Sequence, residues 1–330
     1  MKKVCVIGGG VWGTALGLLL AKKGLTVNIW AREKEVVRAI NKKNENSLYL
    51  PGVRLPAGVR AFEEPGGALE GAELIVNGVP TQFIRRVFSS LKKNIGREVL
   101  LVSVSKGVET GTLKTPCSIL KEILGREVCL LSGPSFAAEV AAEKPTAVTV
   151  SGRGKKERIL IQKTFSAPYF RVYEHDDLIG AEIGGAVKNV IAIASGMCEG
   201  LDLGKNARAA LITRGLNEMT RLGRKMGAKG ITFSGLSGLG DLFLTCTSSL
   251  SRNYTVGFRL GRGEKIGRIL SGMKSVAEGV ETSLSAMKLS RKLGVEMPIT
   301  RQVYLVLYRG KNPSAAVGEL MARSLKPEFD

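Results

Sequence analysis

The sequence predicts an α/β protein in which a doubly wound sheet at the N-terminus is followed by a mostly α-helical C-terminal domain. In the first half, short β-rich apolar runs alternate with longer helical stretches, as in a parallel sheet with crossover helices. In the second half, apolar residues recur at helical spacing and strand-like runs disappear. The length of 330 residues also favours two domains, because one hydrophobic core rarely grows so large.

Several short apolar runs in the first half are predicted to be strands of a parallel sheet. Runs this short and apolar suit strands that are buried on both faces. The helices that cross over between them include residues 14–23 and 82–91. The predicted strands are residues 4–7, 26–30, 74–76, 99–104, 128–131 and 147–150.

The helical stretches of the second half are residues 182–198, 206–226, 276–293 and 300–308. We therefore divide the chain into residues 1–180, the sheet domain, and residues 181–330, the helical domain. The division falls within residues 175–186, where a continuous helix start and a flexible linker remain alternatives.

The composition is that of a folded, basic protein. Apolar residues make up 44% and charged residues 24%, which argues against a disordered or fibrous chain. The net charge of +20 indicates a surface that attracts nucleic acid or small anions such as phosphates, unless it is only a solvated basic surface. The basic residues form no run of five, and aromatic residues, at 5%, offer few surfaces for base stacking. We therefore expect no nucleic-acid partner.

Cysteine usage and the N-terminus indicate a cytoplasmic protein. The five cysteines are an odd number without CxxC spacing, so we expect neither a disulfide framework nor a metal site. The apolar N-terminal stretch resembles a signal peptide but is broken by glycines. No apolar run reaches the roughly 18 residues that a membrane span needs, so we expect no membrane insertion.

A glycine-rich motif follows the first predicted strand directly. Gly8-Gly9-Gly10-Val11-Trp12-Gly13 satisfies GxGxxG and opens a predicted helix. Gly8 suits the tight turn, Gly10 lets the backbone approach a pyrophosphate, and Gly13 lets the helix pack closely on the sheet. The N–H groups at the start of the helix then face the anion. The motif predicts a Rossmann-type dinucleotide site; a merely tight turn between strand and helix is the alternative.

The end of the second predicted strand bears on the choice of cofactor. NAD-selective sites usually carry Asp or Glu there, to hold the ribose hydroxyls. This chain has Arg32, which can pair with a 2′-phosphate, so NADP(H) is favoured and NAD(H) remains allowed. Glu33 follows at once, and a plain surface arginine is the alternative interpretation.

The proton chemistry is predicted to rest on Lys188 rather than on histidine. The chain has one histidine, His175, in an acidic setting that favours an exposed or capping role. Lys188 lies on an apolar predicted helix just after the small residues Gly184 and Gly185. A desolvated lysine has a lowered pKa, so it can give a proton to a developing alkoxide. By spacing alone, a lysine that reaches from a buried helix to solvent is the commoner outcome.

Three further segments are candidates for ligand binding, and an ordinary turn or cap is the alternative for each. Lys106 lies just past the end of a predicted strand, at the edge where ligands of open α/β sheets bind. Residues 131–137 follow the next strand with a turn and hydroxyl groups. A glycine-rich loop at residues 235–241 leads to the row Ser251-Arg252-Asn253, whose donors suit a phosphate dianion.

Together these segments resemble the bacterial NAD(P)-dependent glycerol-3-phosphate dehydrogenase family. The resemblance covers nearly the whole chain, with the motifs in the family's order: GGGVWGTALG, NGVPTQ, SVSKGVE, LSGPSFAAEV, GAVKNVIAIASG, GLSGLGDLFLTC, SRN, VAEGVET and MPITRQVY. It implies a Rossmann domain followed by a helical domain. It also implies reversible hydride transfer between NAD(P)H and dihydroxyacetone phosphate, giving sn-glycerol 3-phosphate for glycerophospholipid synthesis.

The resemblance also implies roles for individual residues. Lys188 would be the proton donor and acceptor, Asp241 would orient this lysine or a hydroxyl, and Lys106 would add positive charge near the developing alkoxide. Arg252 and Asn253 would hold the phosphate. The implied substrate-binding residues are Lys106, Gly133, Ser135, Lys188, Asp241, Ser251, Arg252 and Asn253. The implied cofactor-binding residues are Gly8, Gly10, Val11, Trp12, Gly13, Arg32, Lys106, Ala137, Arg252, Val276 and Glu278.

Two departures from the family and several alternatives remain open. The family often has serine at Val11, and a basic residue where Tyr254 and Thr255 follow the SRN row, which predicts weaker phosphate affinity. The runner-up activity is that of another two-domain dehydrogenase of phosphorylated or β-hydroxy acids. A cofactor-binding regulator without turnover is a further alternative. The sequence does not give the oligomeric state, and a homodimer is one option.

Overall fold

A computed structural model describes residues 1–273, 275–325 and 327–328. The strands are Lys3–Ile7 (β1), Thr26–Trp30 (β2), Glu45–Asn46 (β3), Leu50–Arg54 (β4), Val59–Phe62 (β5), Leu74–Asn77 (β6), Leu100–Ser103 (β7), Cys129–Ser132 (β8), Thr146–Ser151 (β9) and Phe170–His175 (β10).

The described residues form fifteen α-helices, numbered here in chain order. They are Val11–Lys22 (α1), Lys34–Lys43 (α2), Pro65–Leu69 (α3), Thr81–Leu91 (α4), Pro116–Leu124 (α5), Ala137–Ala141 (α6), Lys155–Phe165 (α7), Leu178–Gly200 (α8), Gly204–Lys225 (α9), Asp241–Thr247 (α10), Arg252–Gly261 (α11), Ile266–Ser271 (α12), Glu278–Leu293 (α13), Pro298–Arg309 (α14) and Pro313–Met321 (α15). Short 3₁₀ turns lie at Lys92–Asn94 and Gly230–Ser234, and a π turn lies at Leu236–Gly240.

The first domain is built on an eight-stranded sheet with the strand order β10-β9-β8-β7-β6-β1-β2-β5. The chain winds from β1 outward through β2 to β5, and then returns to β6 on the other side of β1. This reversal makes a crevice at the carboxyl ends of β1 and β6, where ligands of doubly wound sheets bind. The predicted doubly wound domain is therefore confirmed.

One part of the predicted parallel sheet is wrong. The run at residues 147–150 belongs to β9, which pairs antiparallel with β8 and places Val150 opposite Leu131. A parallel return usually uses a crossover helix long enough to run back along the sheet, and the mere length of the connection, residues 133–145, would permit one. Here the connection contains only the five-residue helix α6, so the chain re-enters the sheet from the edge that it has just left. Strand β10 then pairs parallel with β9.

The second domain is helical, as predicted, and is arranged around α8. This 23-residue helix is long and apolar enough to pass a composition test for a membrane span, but 89% of its most apolar window is buried inside the protein. Such burial is that of a core helix. Helices α9, α10, α11 and α13 pack against it.

Helices α8 and α11 cross at close range because both carry glycine at the crossing. A Cβ atom at Gly196 of α8 would overlap the carbonyl oxygen of Tyr254, and one at Gly257 of α11 would overlap that of Ile193. Side chains at these positions would force the helices apart. The contact fixes the start of α11, which carries the Ser251-Arg252-Asn253 row, relative to α8, which carries Lys188.

The two domains meet at the start of α8. Strand β10 ends at His175, and Asp177 caps α8 by accepting a hydrogen bond from the N–H of Gly180 at 2.9 Å. The junction is therefore a helix start rather than a long linker. The division at residues 180 and 181 falls in the first turn of α8, and the extent of each domain as an independent unit stays a prediction.

Candidate active site

The glycine loop between β1 and α1 is shaped by close approach to neighbouring backbone. Gly8 has a φ of +122°, and a Cβ there would lie 2.8 Å from the carbonyl carbon of Gly78. A Cβ at Gly13 would overlap the carbonyl oxygen of Gly8. A Cβ at Gly10, in contrast, would have no heavy atom within 4 Å. The first helical hydrogen bond runs from Thr14 N–H to Gly10 at 2.9 Å. The preceding N–H groups are therefore oriented to meet an anion.

A cavity of about 810 Å³ opens from this loop and extends between the two domains. This volume lies in the range of cofactor and substrate sites. Of the predicted residues, Gly133 and Asp241 are not among those that line it. The predicted residues that do line it are Gly8, Gly10, Val11, Trp12, Gly13, Arg32, Lys106, Ser135, Ala137, Lys188, Ser251, Arg252, Asn253, Val276 and Glu278.

Two lysines share one buried carboxylate at the inner end of the cavity. Lys188 Nζ donates to Oδ1 of Asp241 at 2.6 Å and to Oγ1 of Thr245 at 2.7 Å. Lys106 Nζ donates to Oδ2 of Asp241 at 2.6 Å and to the carbonyl oxygen of Gly133 at 3.2 Å. Asp241 is 1% exposed and Lys188 is 7% exposed, so this cluster is almost dry.

The shared carboxylate determines the charge of the cluster. Burial lowers the pKa of Lys188 to about 8; the Asp241 carboxylate opposes this shift and the charge of Lys106 adds to it. Burial alone would raise the pKa of Asp241, but the two lysines together hold it below its usual value. Asp241 is therefore ionised at neutral pH. With both lysines protonated, the cluster carries one net positive charge.

Small residues on α8 let the cluster form. A Cβ at Gly184 would lie 2.5 Å from the carbonyl oxygen of Ser237 in the π turn before α10. A Cβ at Gly185 would lie 3.1 Å from Oγ of Ser132 and 3.4 Å from Cγ of Lys106. The interpretation that these glycines allow a close approach agrees with this geometry. They bring α8 against the segments that carry Asp241 and Lys106.

Two residues of the site were missed in the sequence. Thr245 lies four positions after Asp241 on α10 and accepts from Lys188, and this i, i+4 spacing was the available signal. Asn189, next to Lys188, accepts from Nδ2 of Asn253 at 2.9 Å. Its only sequence signal was a polar residue in an apolar run. Both side chains line the cavity.

The three residues of the Ser251-Arg252-Asn253 row make different contacts. Ser251 caps α11, since its Oγ accepts the N–H of Tyr254 at 3.2 Å. Asn253 is buried; its Oδ1 accepts the N–H of Gly279 at 3.0 Å and its Nδ2 donates to Asn189. Arg252 is exposed and lines the cavity at the first position of α11. The guanidinium and the N-terminus of α11 can therefore receive a phosphate, and the binding roles of Ser251 and Asn253 stay predictions.

The turn after β8 lies directly beside Lys106. Gly133 has a φ of +144°, and a Cβ there would lie 2.9 Å from Cα of Val148. Its carbonyl oxygen accepts from Lys106 and also from Oγ of Ser135 at 3.1 Å. The turn thus positions Lys106 and places a hydroxyl group on the cavity wall.

Two further cofactor-binding candidates, Arg32 and Glu278, line the cavity and are paired with neighbouring groups. Arg32 Nη2 donates to Oε1 of Glu33 at 2.8 Å, and the Arg32 side chain is 78% exposed. Glu278, at the start of α13, accepts from the N–H of Thr81 at 2.8 Å and from its hydroxyl at 2.9 Å. This contact joins the helical domain to the N-terminus of α4 in the sheet domain.

His175 lies outside the cavity lining, and its Nδ1 accepts the N–H of Asp177 at 3.2 Å. Burial lowers its pKa against the pull of the neighbouring carboxylates. His175 is thus half-buried rather than exposed, and it contacts the cap residue of α8, so the expected capping role stays a prediction.

Comparisons with known proteins assign the two domains to one family. The model of the N-terminal domain of NAD-dependent glycerol-3-phosphate dehydrogenase matches residues 3–158, and that of the C-terminal domain matches residues 177–318. The glycerol-3-phosphate dehydrogenase [NAD(P)+] of Solidesulfovibrio magneticus is 50% identical over 99% of this chain and 100% of its own. That of Geobacillus thermodenitrificans is 47% identical over 100% of this chain and 97% of its own.

Solved structures show the same architecture. A crystal structure of glycerol-3-phosphate dehydrogenase from Coxiella burnetii has a TM-score of 0.95 at 38% identity and covers 98% of this chain and 99% of its own. The yeast enzyme from Saccharomyces cerevisiae has a TM-score of 0.83 at 28% identity over 98% of this chain and 99% of its own. The chain therefore belongs to the NAD-dependent glycerol-3-phosphate dehydrogenase family.

Proposed function

We propose that this protein catalyses reversible hydride transfer between NAD(P)H and dihydroxyacetone phosphate, giving sn-glycerol 3-phosphate. The observation that carries the proposal is the nearly dry cluster in which Asp241 and Thr245 hold Lys188 against the cavity wall. The cavity also runs to the glycine loop, so one continuous space joins a pyrophosphate site to a proton donor. Family membership agrees with this reaction.

Lys188 is proposed to move the proton. An ammonium group has three N–H donors; among the described residues, Asp241 and Thr245 accept two of them. The third is available to an oxygen atom in the cavity. A bound nicotinamide ring would supply the hydride to the ketone carbon. As the C=O electron pair moves onto oxygen, Lys188 donates its proton there, and in the reverse direction neutral Lys188 takes it back.

The rest of the cluster is proposed to stabilise the developing alkoxide. Asp241 fixes the direction of Lys188 and keeps both lysines in place. Lys106 retains one donor beyond those that bind Asp241 and Gly133, and its charge leaves the cluster positive. A positive charge fixed in a dry site stabilises an oxyanion far more than it would in water.

Arg252 is proposed to select the phosphorylated substrate. Its guanidinium is exposed to the cavity at the N-terminus of α11, where helix N–H groups also favour an anion. Asn253 then contributes mainly by joining α8, α11 and α13, because its amide is bound to Asn189 and Gly279. Val11 keeps its N–H group for the pyrophosphate although it lacks a hydroxyl.

The cofactor is proposed to be NADP(H) in preference to NAD(H), with Arg32 at the 2′-phosphate. The protein is proposed to act in the cytoplasm and to supply glycerophospholipid synthesis. The homodimer stays a prediction, which sedimentation velocity would test.

The experiment is a substrate panel measured by the absorbance of the reduced nicotinamide. Dihydroxyacetone phosphate, unphosphorylated dihydroxyacetone and a β-hydroxy acid are each assayed with NADH and with NADPH. We expect turnover with dihydroxyacetone phosphate, a large loss of kcat/KM without the phosphate, and a lower KM for NADPH. Preference for the β-hydroxy acid would favour the runner-up dehydrogenase. Cofactor binding without any turnover would favour a regulator.

A further inference from the structure

The end of β2 carries an acid and a base side by side at the rim of the cofactor cavity. Gly8 of the glycine loop donates its N–H to the carbonyl oxygen of Trp30 at 3.0 Å, so the end of this strand is fixed to the pyrophosphate loop. Arg32 and Glu33 follow, and both line the cavity. In dinucleotide sites, an acid here binds the ribose 2′-hydroxyl of NAD, and an arginine binds the 2′-phosphate of NADP. This chain presents both groups.

The two side chains are paired with each other. Arg32 donates from Nε at 3.2 Å and from Nη2 at 2.8 Å, and both bonds go to Oε1 of Glu33. The Arg32 side chain is 78% exposed, whereas that of Glu33 is 26% exposed. Glu33 is therefore the fixed partner, and Arg32 is the one that is free to turn toward a ligand.

The surroundings of Glu33 favour its negative charge, although its side chain makes no capping hydrogen bond. It lies at the cap position of α2, where the positive end of the helix favours a negative charge. The phenol of Tyr49 lies nearby on the cavity wall. Burial and then the charge of Glu33 raise the pKa of Tyr49, so the phenol stays protonated beside the carboxylate. The neighbouring Lys34 pairs with Glu63 at 3.7 Å rather than with Glu33.

We propose that Glu33 is a specificity-determining residue that limits the preference for NADP(H) and keeps NAD(H) usable. When NADP(H) binds, Arg32 leaves Glu33 for the 2′-phosphate, and the carboxylate repels that phosphate. When NAD(H) binds, the pair stays intact and Glu33 accepts the 2′-hydroxyl. The inference rests on the proposed dinucleotide site, and it adds the residue that sets the balance between the two cofactors.

Removing the charge of Glu33 should therefore have opposite effects on the two cofactors. Exposed ion pairs are weak, so freeing Arg32 is expected to tighten NADP+ binding by about two- to fivefold. The loss of a charged acceptor for the 2′-hydroxyl is expected to weaken NAD+ binding by a similar factor, about two- to fivefold. The ratio of the two dissociation constants should then change by about tenfold.

The experiment compares Glu33→Gln with the wild-type protein in cofactor binding alone. The chain has two tryptophans, Trp12 and Trp30, and both line the cavity, so quenching of their fluorescence reports binding without turnover. NADP+ and NAD+ are titrated at low and at high salt. Glu35→Gln is the matched control, because Glu35 is an exposed acid in the first turn of the same helix and makes the same change of charge.

The proposal expects Glu33→Gln to shift the ratio toward NADP+ and Glu35→Gln to leave it within about twofold of the wild type. It also expects the gain in NADP+ affinity to be reduced when Arg32→Gln is added. An unchanged ratio, or equal shifts for both cofactors, would overturn it. Because binding is the readout, a protein that binds both cofactors but fails to reduce dihydroxyacetone phosphate would refute the proposed reaction and leave this test intact.

Discussion

At the scale of single residues, the proton transfer depends on a lysine whose charge state is set by its neighbours. Lys188 is buried and hydrogen-bonded to an ionised carboxylate, and its pKa is lowered to about 8. A proton donor and acceptor works best when its pKa lies near the working pH. The arrangement therefore suits a reaction that runs in both directions near neutrality.

The lowered pKa predicts opposite pH dependences for the two directions. Reduction of dihydroxyacetone phosphate needs protonated Lys188, so kcat should be steady below about pH 8 and fall above it. Oxidation of glycerol 3-phosphate needs neutral Lys188, so kcat should rise through the same range. Steady-state rates measured in both directions test this. Two profiles that change in the same direction through this range would contradict the role of Lys188.

Thr245 offers a second test at this scale. Its hydroxyl accepts from the Lys188 ammonium group, so Thr245→Val should lower the pKa of Lys188 and move the fall in the reduction profile to lower pH. We expect kcat at neutral pH to fall by about tenfold. Thr247→Val is the matched control, because Thr247 also bonds a carbonyl four residues back on α10 but is exposed. Equal effects of the two variants would show that Thr245 acts only through the helix.

At the scale of elements, the site depends on how closely α8 approaches α11. Glycines at the crossing let the backbones touch, and this sets the position of Arg252 relative to Lys188. The Gly257→Ala substitution would push a methyl group into the carbonyl oxygen of Ile193. We expect the free energy of unfolding to fall by about 1–3 kcal/mol or more, with a loss of kcat/KM.

Chemical denaturation followed by circular dichroism measures this loss. Gly318→Ala on α15 is the control, because its added methyl group meets no atom within 4 Å. It should raise the free energy of unfolding by about 0.5–1 kcal/mol. A Gly257→Ala protein as stable as the control would contradict the packing account.

Individual elements differ in how well the sequence predicted them. Strands such as β1, β6 and β8 are buried on both faces, so their sequences are nearly continuous apolar runs that predicted them well. Strands β5 and β10 lie at the edges of the sheet, and β10 alternates buried and exposed residues, which is a weaker signal. The reversed direction of β9 follows from the short α6, which strand propensities do not report.

Some candidate site residues could be identified from the sequence because their residue type has a distinctive chemistry. A lysine after small residues made Lys188 a candidate and a strand-end position made Lys106 one, but only the resemblance to the family favoured these roles over a solvent-reaching lysine and an ordinary turn. The structural hydrogen bonds of Ser251 and Asn253 were not predictable, because serine and asparagine can cap or join helices as well as bind a phosphate. Which partner each donor meets depends on the tertiary arrangement of α8, α11 and α13.

At the scale of the whole molecule, the net charge of +20 acts on an anionic substrate. A positive surface raises the local concentration of anions, and salt screens this effect over a Debye length of about 30 Å at 0.01 M and about 8 Å at 0.15 M. We therefore expect the KM for dihydroxyacetone phosphate to rise several-fold between these salt concentrations, while kcat changes little. The control is unphosphorylated dihydroxyacetone, for which kcat/KM should be insensitive to salt. A KM for the phosphorylated substrate that ignores salt would contradict long-range attraction.

The most direct test of the account is to remove the Lys188 ammonium group and to measure catalysis and cofactor binding separately. Lys188→Met should lower kcat for dihydroxyacetone phosphate by about 10²–10⁴-fold, because the proton donor is lost, and leave the dissociation constant of NADP+ within about twofold. Lys288→Met, on the exposed face of α13, should keep both at the wild-type level. If Lys188→Met retained more than about a tenth of the wild-type kcat, Lys188 would not be the proton donor and the central claim would be wrong.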